Sequence, residues 1–362
     1  MKQEALEIRK PGSILIIKLS AIGDVVHTLP LLEVLRKNFP TARIDWLVEE
    51  EASQIITGHK GIDRVIVSYR KSWLRNFLKP KGLVPAVKGI LDFIHELRLQ
   101  EYDLVIDLQG LFKSGLLTGL SRGHRKIGFT GGKEGSVLFL TERPYPVDLN
   151  RHAIERSLKA ADYLKCKVDS WNGKIPLSDS DRTRIDRLLY ENSITDNNFV
   201  AINPMARWKT KLWEPERFAS LAGRIQKELS LKVVFTGSGH DRPIIDKIVQ
   251  NMVEGPINLA GKTSLKELAY LFSRCRLVVS TDTGPMHIAA AMGTPTVALF
   301  GPTAPWRTGP YGMGHKVVRE ELDCSPCFKK RCTHLTCMKK ITPEKIFEAV
   351  QQVLQQRSWG KI

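Results

Sequence analysis

A short apolar run that stops in a polar loop, restarts as a helix of small residues and ends in a second apolar run can fold in few ways. Arg276-Leu277-Val278-Val279 begins such a unit. It continues through Ser280-Thr281-Asp282-Thr283-Gly284 and Pro285–Met292 to Thr296-Val297-Ala298-Leu299-Phe300. Pro285 suits the first helical position because its missing N–H would be unpaired there anyway, and Thr283 or Asp282 can cap the turn. Gly293 suits a left-handed C-cap. In an open parallel sheet such a loop lies at the carboxyl end of its strand, where ligands bind, and the free N–H groups of the following helix favour an anion. The plainer reading leaves Asp282 and Thr283 as caps and His287 as a hydrogen-bonded core histidine.

The same alternation recurs along the chain. A first series has strands at Ile14–Lys18, Ile44–Val48, Arg64–Val67 and Leu104–Asp107, with helices from about Val25 to Asn38 and over Gly89–Gln100. Around 166–198 the pattern weakens into polar and turn-forming residues, including DSWNGK and ITDNN, which read as the interdomain connection. A second series follows: Phe199–Asn203, helix Glu216–Glu228, strand Lys232–Thr236, helix Arg242–Met252, strand Ile257–Leu259 and helix Ser264–Arg274. Thr342 and Pro343 then open a closing helix with Ile346, Val350, Val353 and Leu354 along one face. Alternating β and α means parallel sheets covered on both faces. At roughly 150 residues per domain, the 362 residues predict domains at 1–170 and 171–340, with the helix 341–362 after them.

No apolar run approaches the ~20 residues that span a bilayer. The start, Met1-Lys2-Gln3-Glu4-Ala5-Leu6-Glu7, has no signal-peptide core, so a cytoplasmic location is expected. A formal charge of +17 calls for an anionic partner: nucleic acid, anionic lipid or a phosphorylated substrate. No helix-turn-helix, finger or aromatic RNA-binding pattern accompanies the charge, so nucleic acid is not expected.

Neither half carries G-x-G-x-x-G or G-x-x-x-x-G-K-[ST], which removes the ordinary grounds for a nicotinamide enzyme or a P-loop kinase. Gly23-Asp24 follows the first strand, where the carboxylate sits beside a helix N-terminus and reads either as a base or as a helix cap. In the second half, NPMARWKTKLW (203–213) supplies Arg207, Lys209 and Lys211, and TGSGHD (236–241) ends in Asp241. With Asp282, Thr283, Gly284 and His287, three strand ends supply cations, small residues and hydroxyls, which suits a diphosphate-bearing ligand. Cys324, Cys327, Cys332 and Cys337 are spaced closely enough for a structural zinc. Lys329, Lys330 and Arg331 would equally stabilise a metal-free thiol cluster.

The motifs KLSAIGDVVHTLPLL, IDWLVEE, VIDLQGLFKSGLL, RHAIERSL, STDTGPMHIAAAMGTPTVALFGPT and the CSPCF tail occur in an order that resembles glycosyltransferase family nine, the lipopolysaccharide heptosyltransferases. The resemblance covers nearly the whole chain. It implies an α/β GT-B architecture: two Rossmann-like parallel-sheet domains facing a cleft, acceptor on the first, nucleotide sugar on the second, and the closing helix packed back on the first. It further implies metal-independent, inverting transfer of heptose from ADP-heptose to the Kdo/inner core of lipopolysaccharide, by an enzyme peripheral on the inner face of the inner membrane.

Carried over residue by residue, Asp24 matches the catalytic base and Lys211 a donor-phosphate lysine, while Asp282, Thr283, Gly284 and His287 match the donor loop. Ala206 and Arg207 stand where the family often has threonines and Asp241 where it often has glutamate, all toward the adenosine end. Arg70, Lys71, Arg75, Lys113 and Lys133 lie in segments the family turns toward an anionic acceptor. DWLVEE, LQGLFKS and HAIER resemble the enzyme that adds heptose to Kdo, whereas the cysteine tail resembles the second heptosyltransferase. A nucleotide-sugar-binding protein that keeps the fold without catalysis is the competing reading.

Overall fold

In the computed structural model, which describes residues 10–359 except 196, 251, 253 and 254, the strands form two sheets in which every paired neighbour is parallel. The first unit runs to Leu149 and resumes over Ala153–Gly173; the second holds Asn150–His152 and runs on from Lys174. The division thus falls three residues beyond the expected 170/171.

The first unit contains β1 (Ser13–Ile17), α1 (Ile22–Val26), α2 (Leu29–Asn38), β2 (Arg43–Glu49), α3 (Glu50–Ser53), β3 (Arg64–Ser68), α4 (Arg70–Phe77), α5 (Leu83–Arg98), β4 (Glu101–Asp107), α6 (Phe112–Leu120), β5 (Arg122–Gly128) and α7 (Ala153–Tyr163). Its strand order is β3-β2-β1-β4-β5. β1 is apolar almost throughout because helices cover both faces of a parallel sheet. Leu15, Ile17, Leu47, Phe93, Leu97, Tyr102 and Val105 form one of its cores.

The single helix expected over Val25–Asn38 is two, since Pro30 has no N–H to donate and sits in the first turn of a new helix. The helix expected over Gly89–Gln100 begins earlier, at Leu83. α4, with no buried residue, and β5, a polar edge strand reading Arg-Gly-His-Arg-Lys, gave no apolar signal.

The second unit contains α8 (Asp179–Glu191), β6 (Phe199–Asn203), α9 (Pro215–Leu229), β7 (Lys232–Phe235), α10 (Arg242–Gln250), β8 (Ile257–Asn258), α11 (Leu265–Arg274), β9 (Leu277–Thr281), α12 (Gly284–Ala291), β10 (Thr296–Phe300), α13 (Pro305–Thr308), β11 (Lys316–Arg319), α14 (Thr336–Lys339) and α15 (Pro343–Trp359). Its order, β11-β10-β9-β6-β7-β8, repeats the doubly wound pattern of the first. α12 follows the N-cap Thr283, and Gly293, just past its C-cap Met292, has a φ of 73°, the left-handed conformation expected of it.

One expectation is corrected. The stretch read as connection contains α8, started by Ser178 and Asp181. The Asp181 N–H donates to the Ser178 hydroxyl (3.2 Å), and the Asp181 carboxylate accepts the Ser178 N–H (2.8 Å). Only Ile185 and Leu189 of α8 are buried, so its polarity concealed it. The closing helix α15 places Ile346, Phe347, Val350 and Val353 in the second unit's own core with Trp213, Phe218 and Leu299. Residues 1–9, on which the absence of a signal-peptide core was read, and Asn251, just before the expected helix end at Met252, lie outside the described residues. No helix among the described residues is long and apolar enough to cross a membrane.

Candidate functional site

Each sheet reverses its strand order between two central strands, β1 and β4 in the first unit, β6 and β9 in the second. Loops leaving the carboxyl ends there part to opposite faces and open a crevice, the usual ligand position in such sheets.

In the first unit the loop after β4 is held by Asp107. Its carboxylate accepts the Gln109 N–H (2.9 Å), the Gly110 N–H (3.0 Å) and the Ser114 hydroxyl (2.9 Å). Burial pushes this carboxyl up, against those hydrogen bonds. Gly110 is required twice over: its φ is +64°, and a Cβ would come within 2.7 Å of the Phe129 ring. The Gln109 side-chain oxygen accepts the Leu19 and Ser20 N–H groups (3.2 and 3.1 Å), and the Lys18 ammonium donates to the Leu108 carbonyl (2.7 Å). The two loops are thereby tied together. With α7 they enclose a cavity of about 190 Å³ lined by Lys18, Asp24, His27, Gln109, Phe129 and Arg156, among others.

Asp24 is the third residue of α1. Its Oδ2 accepts the Ala21 N–H at 3.1 Å, so it is a cap and a wall of this cavity at once. Burial pushes the Lys18 ammonium down, while the charges of Asp24 and Asp107 pull it back up. The sequence reading passed over Lys18 and Arg156. Both lie inside motifs it quoted, and a cation at a strand end beside an acid was the available signal.

The five cations assigned to the acceptor differ in what they hold. Arg70 and Lys113 both donate to Glu49 Oε1 (3.0 and 2.9 Å), Lys113 also reaches the Ser20 hydroxyl (3.1 Å), and Lys71 pairs with Glu51 (2.5 Å). Arg75 donates to the Ser72 hydroxyl (3.1 Å), and Lys133 is exposed. Lys71 and Arg75 line a separate cavity of about 670 Å³ in which Glu49, Glu50 and Glu51 also appear. An anion entering it meets three carboxylates beside the two cations.

Glu49 is buried, which alone would raise its carboxyl, yet Lys113 and Arg70 outweigh this and hold it below the usual carboxylate range. A depressed carboxyl stabilises the fold above the unfolded-state value, and that contribution is lost as pH falls through the folded-state value. Glu49→Gln should therefore cost about 1–2 kcal/mol at neutral pH, moderated by solvent at Arg70. The difference from the parent should close below about pH 4. Thermal melts of both proteins across pH check this.

In the second unit the loops after β6 and β9 meet. Lys211 Nζ lies 2.6 Å from Asp282 Oδ2, and both side chains are largely buried. The Thr303 hydroxyl donates to the same oxygen at 2.6 Å, and the Thr281 hydroxyl donates to the Met205 carbonyl at 2.8 Å. The Trp208 ring carries Lys211 on it at 4.6 Å and Lys330 at 5.3 Å. Thr283 and Gly284 open α12, whose next turn carries the buried His287.

Asp241 closes its own loop, accepting the Ser238 N–H (2.8 Å) and hydroxyl (2.7 Å). Ala206 is half-buried and Arg207 exposed in the loop after β6. The structure thus gathers Lys211, Asp282, Thr283 and Gly284 at the switch point, adds Thr303, and leaves Asp241 on the neighbouring strand end. A lysine beside a helix N-terminus can take a phosphate, and a carboxylate with a threonine can take sugar hydroxyls.

Among the described residues no three His, Cys, Asp or Glu side chains converge on a point that could hold a metal ion. Cys337 is buried on α14 against Gly301 and Met338, Cys324 is exposed, and the Cys332 thiol is drawn to the backbone N–H groups of Leu335 and His334, which lower it.

Residues 90–338 match the family model described as glycosyltransferase family 9 (heptosyltransferase). Over 334 residues the chain is 30% identical to lipopolysaccharide heptosyltransferase 1 of Pseudomonas aeruginosa, covering 89% of this chain and 87% of that protein. Among solved structures, a family 9 glycosyltransferase from Veillonella parvula superposes with a TM-score of 0.79 at 26% identity, over 95% of this chain and 98% of the other. The E. coli heptosyltransferase WaaC with ADP-2-deoxy-2-fluoro heptose does so with a TM-score of 0.74 at 25% identity, over 95% and 99%. These neighbours share the GT-B fold, and two Rossmann-like parallel sheets are what this chain shows. The protein belongs to glycosyltransferase family 9, the heptosyltransferases.

Proposed function

We propose that the protein transfers heptose from ADP-heptose to a Kdo residue of the lipopolysaccharide inner core, inverting the anomeric centre and using no divalent metal. The observation that carries this reading is Asp24 on the wall of a cavity that also presents Lys18 and Arg156: one carboxylate to take a proton and two cations to hold an anionic sugar acid. Asp24 removes the proton of the acceptor hydroxyl as its oxygen bonds to the anomeric carbon, and the bond from that carbon to the diphosphate breaks, ADP leaving with the electron pair. Lys211 and the Gly284 N–H stabilise the leaving diphosphate, a role a metal plays in other transferases. Asp282, Thr283 and His287 contact the donor sugar, and Ala206, Arg207 and Asp241 the adenosine end. Arg75, Lys113 and Lys133 meet the outer charges of the acceptor, while Arg70 and Lys71 hold the acidic loop. The enzyme works at the inner face of the cytoplasmic membrane.

A panel of nucleotide sugars against a Kdo-terminated lipid acceptor tests this, with chelator arms and linkage analysis. Turnover is expected with ADP-heptose alone, with inverted product and no effect of chelator. Donor binding without turnover would favour the non-catalytic reading. Acceptor affinity is expected to fall with salt much more steeply than ADP affinity, since exposed ionic contacts are screened. Equal salt slopes in the same assay would remove the acceptor cations.

A further inference from the structure

α5 is apolar on two faces. Ala86, Phe93 and Leu97, at i, i+7 and i+11, are buried, and Trp73 of α4 packs against Phe93 at a tilt with ring centroids 5.3 Å apart. Leu83, Val87 and Leu91, at i, i+4 and i+8, make a second stripe that is exposed. Val84 stands beside it at 76% exposure. Across the turn, Leu74, Phe77 and Leu78 of the α4 end are also exposed, Leu78 to 88%. α4 covers one side of α5 through Trp73, and the stripe of Leu83, Val87 and Leu91 stays exposed.

The charge around the ridge is mainly basic, with Glu49 and Glu51 paired to Arg70 and Lys71 and the exposed Asp92 following Leu91. From Tyr69 to Leu91 the chain carries Arg70, Lys71, Arg75, Lys79, Lys81 and Lys88 and no Asp or Glu. Lys79, Lys81 and Lys88 are exposed beside the apolar residues, two of them in the turn that presents Leu78. A second copy of this face would bring like charges together, which opposes self-association. An apolar stripe edged by lysines fits an anionic bilayer, where the side chains enter the acyl boundary and the ammonium groups stay with the headgroups.

We propose that the α4–α5 hairpin is the surface by which this protein lies on an anionic lipid bilayer, with Leu78, Val84 and Leu91 inserted and Lys79, Lys81 and Lys88 on the headgroups. The proposal rests on the membrane-located function above and supplies the contact that function lacks. The geometry is that of a helix pair in the interfacial plane, with no span.

The test is flotation of the full chain with phosphatidylcholine vesicles, with and without phosphatidylglycerol and without acceptor. The protein should float only with the phosphatidylglycerol vesicles. Leu78→Ser/Val84→Ser/Leu91→Ser should weaken that binding by about 10²-fold or more, given the apolar area withdrawn, and Lys79→Glu/Lys81→Glu should abolish the preference for anionic lipid. These positions are exposed, so an unchanged thermal midpoint is expected, as is unchanged turnover on a delipidated acceptor. Flotation that ignores phosphatidylglycerol, or that survives the triple substitution, overturns the proposal. So does a lipid-free dimer that the triple variant dissociates. Failure of turnover on the delipidated acceptor with flotation intact would count against the enzymatic reading alone.

Discussion

Asp24→Asn is expected to keep the fold and ADP binding while lowering turnover roughly 10²–10⁴-fold, the usual worth of a positioned general base. The structure makes this substitution unusually discriminating. Asp24 accepts the Ala21 N–H through one oxygen, and an asparagine side-chain oxygen can accept the same hydrogen bond. The capping function survives, and what disappears is the ability to take a proton. A folded Asp24→Asn protein with near-normal turnover would leave the residue as a cap and return the catalytic role to the cavity's other groups.

Lys211→Ala is expected to weaken ADP binding by roughly 10- to 150-fold, the loss of one charge-assisted phosphate contact. It should also destabilise the second unit. Asp282 is buried and also accepts the Thr303 hydroxyl, and stripping the cation at 2.6 Å from a largely buried pair leaves an uncompensated charge. The two effects separate in the double variant Lys211→Ala/Asp282→Asn. There the thermal midpoint should recover, because no charge is stranded, and the ADP affinity should not. Calorimetry showing parent-like ADP affinity in either variant would displace Lys211 from the donor site.

Much of this architecture was legible in the chain because its signals are local. Apolar runs marked the strands of both sheets except the edge strands β5 and β11, since an inner parallel strand is buried on both faces and must be apolar throughout. Thr283, Pro285 and Gly293 marked the start and stop of α12 through the hydrogen-bonding and φ requirements of helix ends. Elements with weak burial were missed for the same reason in reverse: α4 buries nothing and α8 buries two side chains, so neither imprints an apolar period. The motif order carried the family, which was a resemblance between sequences and not a derivation of chemistry.

The alternation of strand and helix, and the placing of polar loops at strand ends, followed from residues within a few positions of one another. Which loops meet did not. Lys211 finds Asp282 across 71 positions and Lys113 finds Glu49 across 64, because the strand order seats β6 beside β9 and β1 between β2 and β4. The same order makes Arg70 and Lys113 partners of one buried carboxylate. It also set Lys18 and Arg156 beside Asp24 and drew α15 into the second unit's core. Backbone propensity is a property of neighbours in the chain, whereas the pairing of charges depends on distances that exist only once the sheets are assembled.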